Sequence, residues 1–232
     1  MAGLTNPALR LGKLLRETGD KKKRVHPLLP TEQATLLAAT RRSSPRYHLL
    51  FLVALRTGLR LSECFGVQWA DFDLEVRTVT VQRQFREGRL LDRTKKNKIR
   101  VVDLSREVCE EFRVHRARMQ REALATARPL SEFVFTTRLG GPIRSKSSFE
   151  RRVFHLLLRV AGITRRVTFQ NLRQTFCSDI VASTGDLLYA SEQAGHSSVQ
   201  ITGDYYAHYR PGQKRHIMDG LDERVRRAAQ QQ

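Results

Sequence analysis

The sequence predicts a mainly α-helical domain with a small antiparallel β-sheet, an α+β fold. Apolar residues recur at helical spacing over most of the chain, in phrases opened by Ser, Thr or Asp and closed by Gly. One region changes period: Val79 and Val81 alternate with Thr78 and Thr80, and "IRVVDL" at 99–104 reads as a partner strand. The 232 residues are enough for one substantial core with small extensions.

Taken in order, residues 1–29 form a basic, Pro-bounded, linker-like segment with a short helical phrase and no core of its own. The main domain is placed at 30–212, and a C-terminal helix (about Gln213 to Ala228) and tail at 213–232. Thr31 is expected to cap a helix over "EQATLLAAT". A strongly apolar helix follows from about Tyr47 to Thr57 and stops at Gly58; a short one starts near Ser62, its candidate cap. The Lys-rich "RTKKNK" leads into the second strand, and the helical period resumes after Ser105 with "REVCEEFRVHRARMQREAL". "FVF" at 133–135 reads as a short extended piece, "GGP" as a turn, and about Lys146 to Ala161 as a helix. Thr168 is expected to cap "FQNLRQTFCSDIVAST" and Asp186 to cap "LLYASEQAG".

Lys+Arg number 42 against Asp+Glu 23, a formal charge of +19 spread from "KKKR" at 21–24 to "RVRR" near the end. Such an excess suits a polyanion, and nucleic acid is favoured over a lipid surface. Cys64, Cys109 and Cys177 are widely spaced and odd in number, which indicates neither a disulfide framework nor a zinc site. The expected compartment is a reducing cytoplasm. The apolar run "LLFLVAL" at 49–55 is far below the roughly 20 residues that span a bilayer, so it reads as a buried helix and no membrane is expected. No Gly-rich phosphate loop and no clear carboxylate cluster for Mg²⁺ is present.

Singly, the polar residues of interest have ordinary structural readings: Arg60 in solvent after a helix stop, Lys95 at a solvated strand end, Arg173 on a basic surface, His196 as a cap, Tyr206 as packing. Their order is more informative. "TGLRLSE" at 57–63, "VQWADFD" at 67–73, "RTKKNKIRVVDLS" at 93–105, "TFQNLRQTF" at 168–176 and "AGHSSVQITGDYYAHY" at 194–209 together resemble the catalytic domain of the tyrosine recombinases, the phage integrase family. The resemblance covers about residues 30–212. It implies cleavage and rejoining of double-stranded DNA through a 3′-phosphotyrosine link, without metal or nucleotide. A homo-tetramer on DNA and a monomer when free are expected from it.

The resemblance assigns roles that suit phosphoryl chemistry. Attack on a phosphodiester adds charge to its equatorial oxygens, so fixed cationic donors are the main need. Arg60 and Arg173 take that place, because guanidinium stays charged and can hold two oxygens at once. His196 adds a donor, and Glu63 organises Arg60 by hydrogen bond. Lys95 protonates the leaving 5′ oxygen, with Lys96 as fallback; Lys95, Lys96 and Lys98 are also expected to contact DNA. Adjacent helical residues point about 100° apart, so only one of Tyr205 and Tyr206 can face the phosphate. Counting nine positions from His196 favours Tyr205, whereas the frame of Asp204 and His208 selects Tyr206, the favoured nucleophile, with Tyr205 as fallback.

Two departures stand against the family pattern. The residue three before Arg173, usually His, is Gln170, which donates a hydrogen bond but moves no proton, and Gln174 replaces the His usual after the arginine. Where the family usually carries an N-terminal DNA-binding domain, this sequence has the basic residues 1–29, and on its own it is expected to bind DNA weakly, through phosphates and with steep salt dependence. These departures motivate one alternative, an impaired relic that only binds DNA. Charge alone motivates another, a basic RNA-binding or ribosome-associated protein.

Overall fold

The computed structural model describes residues 27–91 and 99–196. Helix α1 (Pro30–Ser43) begins ahead of the expected Thr31 cap. Pro30 suits the first helical position because it has no amide to leave unsatisfied and its φ is already helical. Glu32 then accepts the Leu29 N–H at 2.8 Å, so Thr31 lies inside the helix. Leu28, 3% exposed, already packs into the core, and its N–H donates to Thr175 Oγ1 at 2.8 Å.

A 3₁₀ turn (Pro45–Tyr47) leads into α2 (His48–Thr57), in which every residue except Arg56 is buried. A helix apolar on all sides must be surrounded, and α2 is the element the others wrap. Gly58 ends it in the left-handed conformation (φ 64°), as anticipated. Helix α3 (Leu61–Gly66) follows, but Ser62 does not cap it: Glu63 reaches back to accept the Arg60 N–H at 2.9 Å.

The sheet is antiparallel, as the alternation predicts, with β1 (Phe72–Asp73) beside β2 (Thr78–Val81) and β2 beside β5 (Arg100–Asp103). Val79 pairs with Val102, both fully buried. A separate hairpin of β3 (Gln84–Arg86) and β4 (Arg89–Leu91) was not anticipated, because three-residue strands show no period. Its signal is the Glu87-Gly88 turn, both residues at positive φ (53° and 77°), as a two-residue hairpin loop requires.

Ser105 Oγ accepts the Val108 N–H and opens α4 (Arg106–Ala125). The "FVF" piece bridges back through Phe133 to Gln68, and the "GGP" turn closes a bridge from Thr136 to Pro142. The helix expected at 146–161 is interrupted: α5 (Lys146–Phe149), a π turn (Glu150–Phe154), then α6 (His155–Val160). Thr168 stands at the N-cap of α7 (Phe169–Thr184), yet the capping acceptor is Asn171 Oδ1, which takes both the N–H and the hydroxyl of Thr168 at 2.7 Å. Asp186 caps α8 (Leu187–Ala194) by accepting the Tyr189 N–H at 2.8 Å. The helix expected at Gln213 to Ala228 lies outside the described residues.

Helices α1, α4 and α7 all pack on α2. Phe51 of α2 sits 6.3, 6.0 and 5.9 Å, ring centre to ring centre, from Phe149, Phe154 and Phe169, and so joins the π-turn region and α7 to the central helix. Cys64, Cys109 and Cys177 are buried free thiols. Among the described residues no helix is long and apolar enough to cross a membrane.

At Gly58 the end of α2 approaches α7 closely, since a Cβ there would lie 2.5 Å from the Phe176 ring. Gly58→Ala is therefore expected to lose about 2 kcal/mol or more, from left-handed strain and overpacking together. Gly162→Ala, at φ 71° but with nothing within 4 Å of the new Cβ, should lose only about 1–2 kcal/mol. Urea unfolding of the two variants measures the difference, and equal losses would contradict the close packing.

Candidate active site

Four chain segments meet at one edge of the core: the α2–α3 corner, the first residue of β5, the second turn of α7, and the end of α8. The corner presents Arg60 and Glu63. The strand presents Arg100, α7 presents Arg173, and the end of α8 delivers Gly195 and His196.

Arg173 is 1% exposed, an unusual position for an arginine. Its Nη1 donates to the Gly58 carbonyl at 2.8 Å and its Nε to His196 Nε2 at 3.2 Å. Its Nη2 is buried and has no hydrogen-bond partner among the described residues. Burial, then the charges of Arg60 and Arg100 against the favourable Glu63, pushes its pKa down to about 9, which still leaves it charged at neutral pH. A buried cation with an empty donor is costly until an anion occupies the site.

His196 is neutral. Burial first, then the positive charges of Arg173, Arg60 and Arg100, lower its pKa to about 4. Guanidinium has no acceptor, so Nε2 must accept from Arg173 and the ring proton resides on Nδ1. Gly195 holds the approach to His196 at φ 66°, and a Cβ there would stand 2.8 Å from Arg100 Cδ, so the strand's arginine passes directly over it.

Glu63 is 1% exposed and its carboxylate is surrounded by donors. Arg60 Nη1 and the Arg60 N–H each donate to it at 2.9 Å, and Arg100 does so through Nη1 at 3.1 Å and Nη2 at 2.7 Å. Burial works to raise its pKa, but the Arg100 hydrogen bonds and charge, helped by Arg60, outweigh burial and hold it at about 2. Arg60 itself is partly exposed, its side chain at 36%. The site thus gathers three guanidinium groups around one carboxylate and retains a positive excess that suits an anion.

The structure brings together Arg60, Glu63, Arg173 and His196. Gln170 lies on α7 one turn before Arg173 and is exposed, and Gln174 accepts from Asn171 Nδ2 at 2.8 Å. Lys95, Lys96, Lys98, Tyr205 and Tyr206 lie outside the described residues. Sequence reasoning missed Arg100, although it left a signal. Arg100 is in phase with buried Val102 on β5, and an arginine on the inward face of a strand needs a partner. Among the described residues no group of three or more His, Cys, Asp or Glu is placed to hold a metal ion.

Residues 27–212 match the model of the family described as "Phage integrase family". A XerC-like tyrosine recombinase of Caldanaerobacter subterraneus subsp. tengcongensis is 30% identical over 196 residues, covering 77% of this chain and 49% of that protein. The tyrosine recombinase XerC of Halalkalibacterium halodurans is 28% identical over 183 residues, covering 77% and 56%. The chain spans about half the length of these curated relatives. In fold it is similar to the XerA recombinase (TM-score 0.65, 23% identity, 84% of this chain and 65% of that one). It is likewise similar to the Tn1549 transposon integrase, solved in complex with a circular intermediate DNA (TM-score 0.69, 22% identity, 90% and 69%).

The lowered pKa of His196 makes a pH prediction. The unfolded ring takes up a proton near pH 6.5 and the folded ring only near 4, so its stability contribution is complete above 6.5 and is lost as pH falls towards 4. His48 and His115, likewise held at about 4 chiefly by burial, add to the same slope. Urea unfolding at pH 7 and pH 4.5 should show parent stability falling with acid and His196→Gln falling less. An unchanged slope would contradict the neutral, arginine-bonded ring.

Proposed function

The chain belongs to the phage integrase family, and on that premise we propose that it is the catalytic part of a tyrosine recombinase that cleaves and rejoins double-stranded DNA. The observation that carries the reading is Arg173: a buried guanidinium, one nitrogen of which has no partner among the described residues, beside Arg60 and a neutral histidine. A scissile phosphate supplies the missing acceptor. Arg173 and Arg60 hold its non-bridging oxygens, and their charge counters what develops during attack. His196, neutral at physiological pH, accepts from Arg173 through Nε2 and so holds that guanidinium in place.

In this reading the phenol oxygen of Tyr206 forms a bond to phosphorus and loses its proton, while the bond from phosphorus to the 5′ oxygen breaks. Lys95 protonates that leaving oxygen, and the 3′-phosphotyrosine preserves the bond energy for rejoining. Gln170 holds position near the phosphate by hydrogen bonding only, so the tyrosine proton departs to another acceptor. Lys96 and Lys98 add backbone contacts to DNA, and the working assembly is a homo-tetramer on two DNA sites. The chain acts in the cytoplasm, at the nucleoid. A relic that only binds DNA needs exposed cations, not a buried one, so Arg173 favours the enzyme.

Covalent trapping on a pool of duplexes nicked near candidate scissile phosphates tests this. The parent and Tyr205→Phe should form a protein–DNA adduct and Tyr206→Phe should not; an adduct from Tyr206→Phe would overturn the assignment. Arg173→Ala should raise the barrier by about 3–4 kcal/mol, seen as a rate loss of roughly 10²–10³-fold in adduct formation. Parent-like cleavage by that variant would remove Arg173 from the mechanism.

A further inference from the structure

We infer that Arg100 is a positioning residue for the cleavage reaction: by holding Glu63 it leaves the Arg60 guanidinium available to the phosphate. The inference rests on the function proposed above and adds to it a residue that is not one of the reacting groups.

The three arginines of the site differ in how their donors are used. Arg173 keeps Nη2 empty, and Arg60 directs Nη1 to Glu63 while the rest of its fork faces a partly exposed position. Each nitrogen of Arg100 donates within the protein: Nη1 and Nη2 to Glu63 at 3.1 and 2.7 Å, and Nε to the Gln193 carbonyl at 3.1 Å. Its side chain is 11% exposed. With each nitrogen committed, Arg100 is not arranged to grip a phosphate. Its effect must pass through what it holds.

Two groups are held. One is Glu63, which receives one donor from Arg60 and one from Arg100 on each carboxylate oxygen. Without Arg100, half of those donors disappear from a carboxylate with almost no access to water, and Arg60 is then the cation left bonded to it. Guanidinium and carboxylate pair best through two parallel bonds, so Glu63 would draw a second Arg60 nitrogen inward and away from substrate. The other group is the last turn of α8. A cation at a helix C-terminus is favoured by the helix dipole, and Gln193, whose side chain also accepts the Asp103 N–H at 2.8 Å, ties that turn to β5. Gly195 lets Arg100 pass, with His196 immediately after it.

A merely structural cross-link would lose stability on mutation and nothing more. Positioning through Glu63 makes a sharper demand: the loss must depend on the charge of Glu63. The test compares the parent with Arg100→Met, Glu63→Gln and the double variant, with two readouts. One is the rate of covalent adduct formation on nicked duplex. The other, which needs no catalysis, is the rise in Tm caused by inorganic phosphate.

Arg100→Met should slow adduct formation by about 10²-fold, the usual effect of displacing a reacting group by about 1 Å, and should weaken the phosphate-induced rise in Tm. In the Glu63→Gln background, where no charge competes for Arg60, the same substitution should cost at least about tenfold less in rate and should leave the phosphate effect in place. Equal losses in both backgrounds, or no loss from Arg100→Met, would overturn the inference. If Arg100→Met does not fold, Arg100→Lys takes its place in the cycle: it keeps the charge, loses the paired geometry, and should be intermediate in both readouts. A parent that shows the phosphate pattern but no adduct refutes the proposed strand cleavage while supporting Arg100's hold on Arg60. A phosphate effect identical in the parent and the Arg100 variants refutes the inference alone.

Discussion

A charged guanidinium placed out of water is the constraint on which this site depends. Taking an ion from water into a protein interior costs several kcal/mol even after relaxation, and Arg173 meets that cost only in part. The Gly58 carbonyl and His196 satisfy two of its nitrogens, and the third has no partner among the described residues. Glu63 offsets the positive charge without a hydrogen bond to Arg173, acting through the field and through Arg60 and Arg100. Among the described residues the result is a site with an excess of positive charge, which suits an anion. That property suits a phosphoryl group whose charge grows during reaction.

The scaffold serves this arrangement through close approach. The same glycine that ends α2 permits α7 to pack near enough for Arg173 to reach its carbonyl, since any Cβ at Gly58 would collide with Phe176. Gly195 plays the matching part at the end of α8, where Arg100 crosses in the space a side chain would fill. Both glycines also need their left-handed φ to end a helix. Phe51, among Phe149, Phe154 and Phe169, keeps α2 and α7 in register behind the site.

Local chemistry was legible where a single residue decides. Asp186 and Ser105 cap as their side chains suggest, Gly58 and Gly195 stop their helices, and the Val-Thr alternation marks a half-buried strand. It was less legible where two residues compete for one task. Thr31 and Ser62 are good caps in isolation, but Glu32 and Glu63 reach back to the amides of Leu29 and Arg60, two residues earlier, and Pro30 moves the first start forward. At Thr168 the position is as read while the acceptor is Asn171. The short β3–β4 hairpin carried only a turn signal, because three residues cannot display a period.

By itself the sequence determined the kinds of element, their order, the positive excess, and the ordered phrases around Arg60, Arg173 and His196 that mark the family. These depend on residue type and on spacing along one segment, which are present in the chain before it folds. Only the tertiary structure decided that Arg173 is buried with a donor unfilled, that His196 is neutral, and that Arg100 shares Glu63 with Arg60. Burial, charge compensation and pKa arise from groups far apart in sequence: 37 positions separate Arg100 from Glu63 and 115 separate Arg173 from Gly58. Solvent exclusion and Coulomb attraction act through space, so no local pattern encodes their strength.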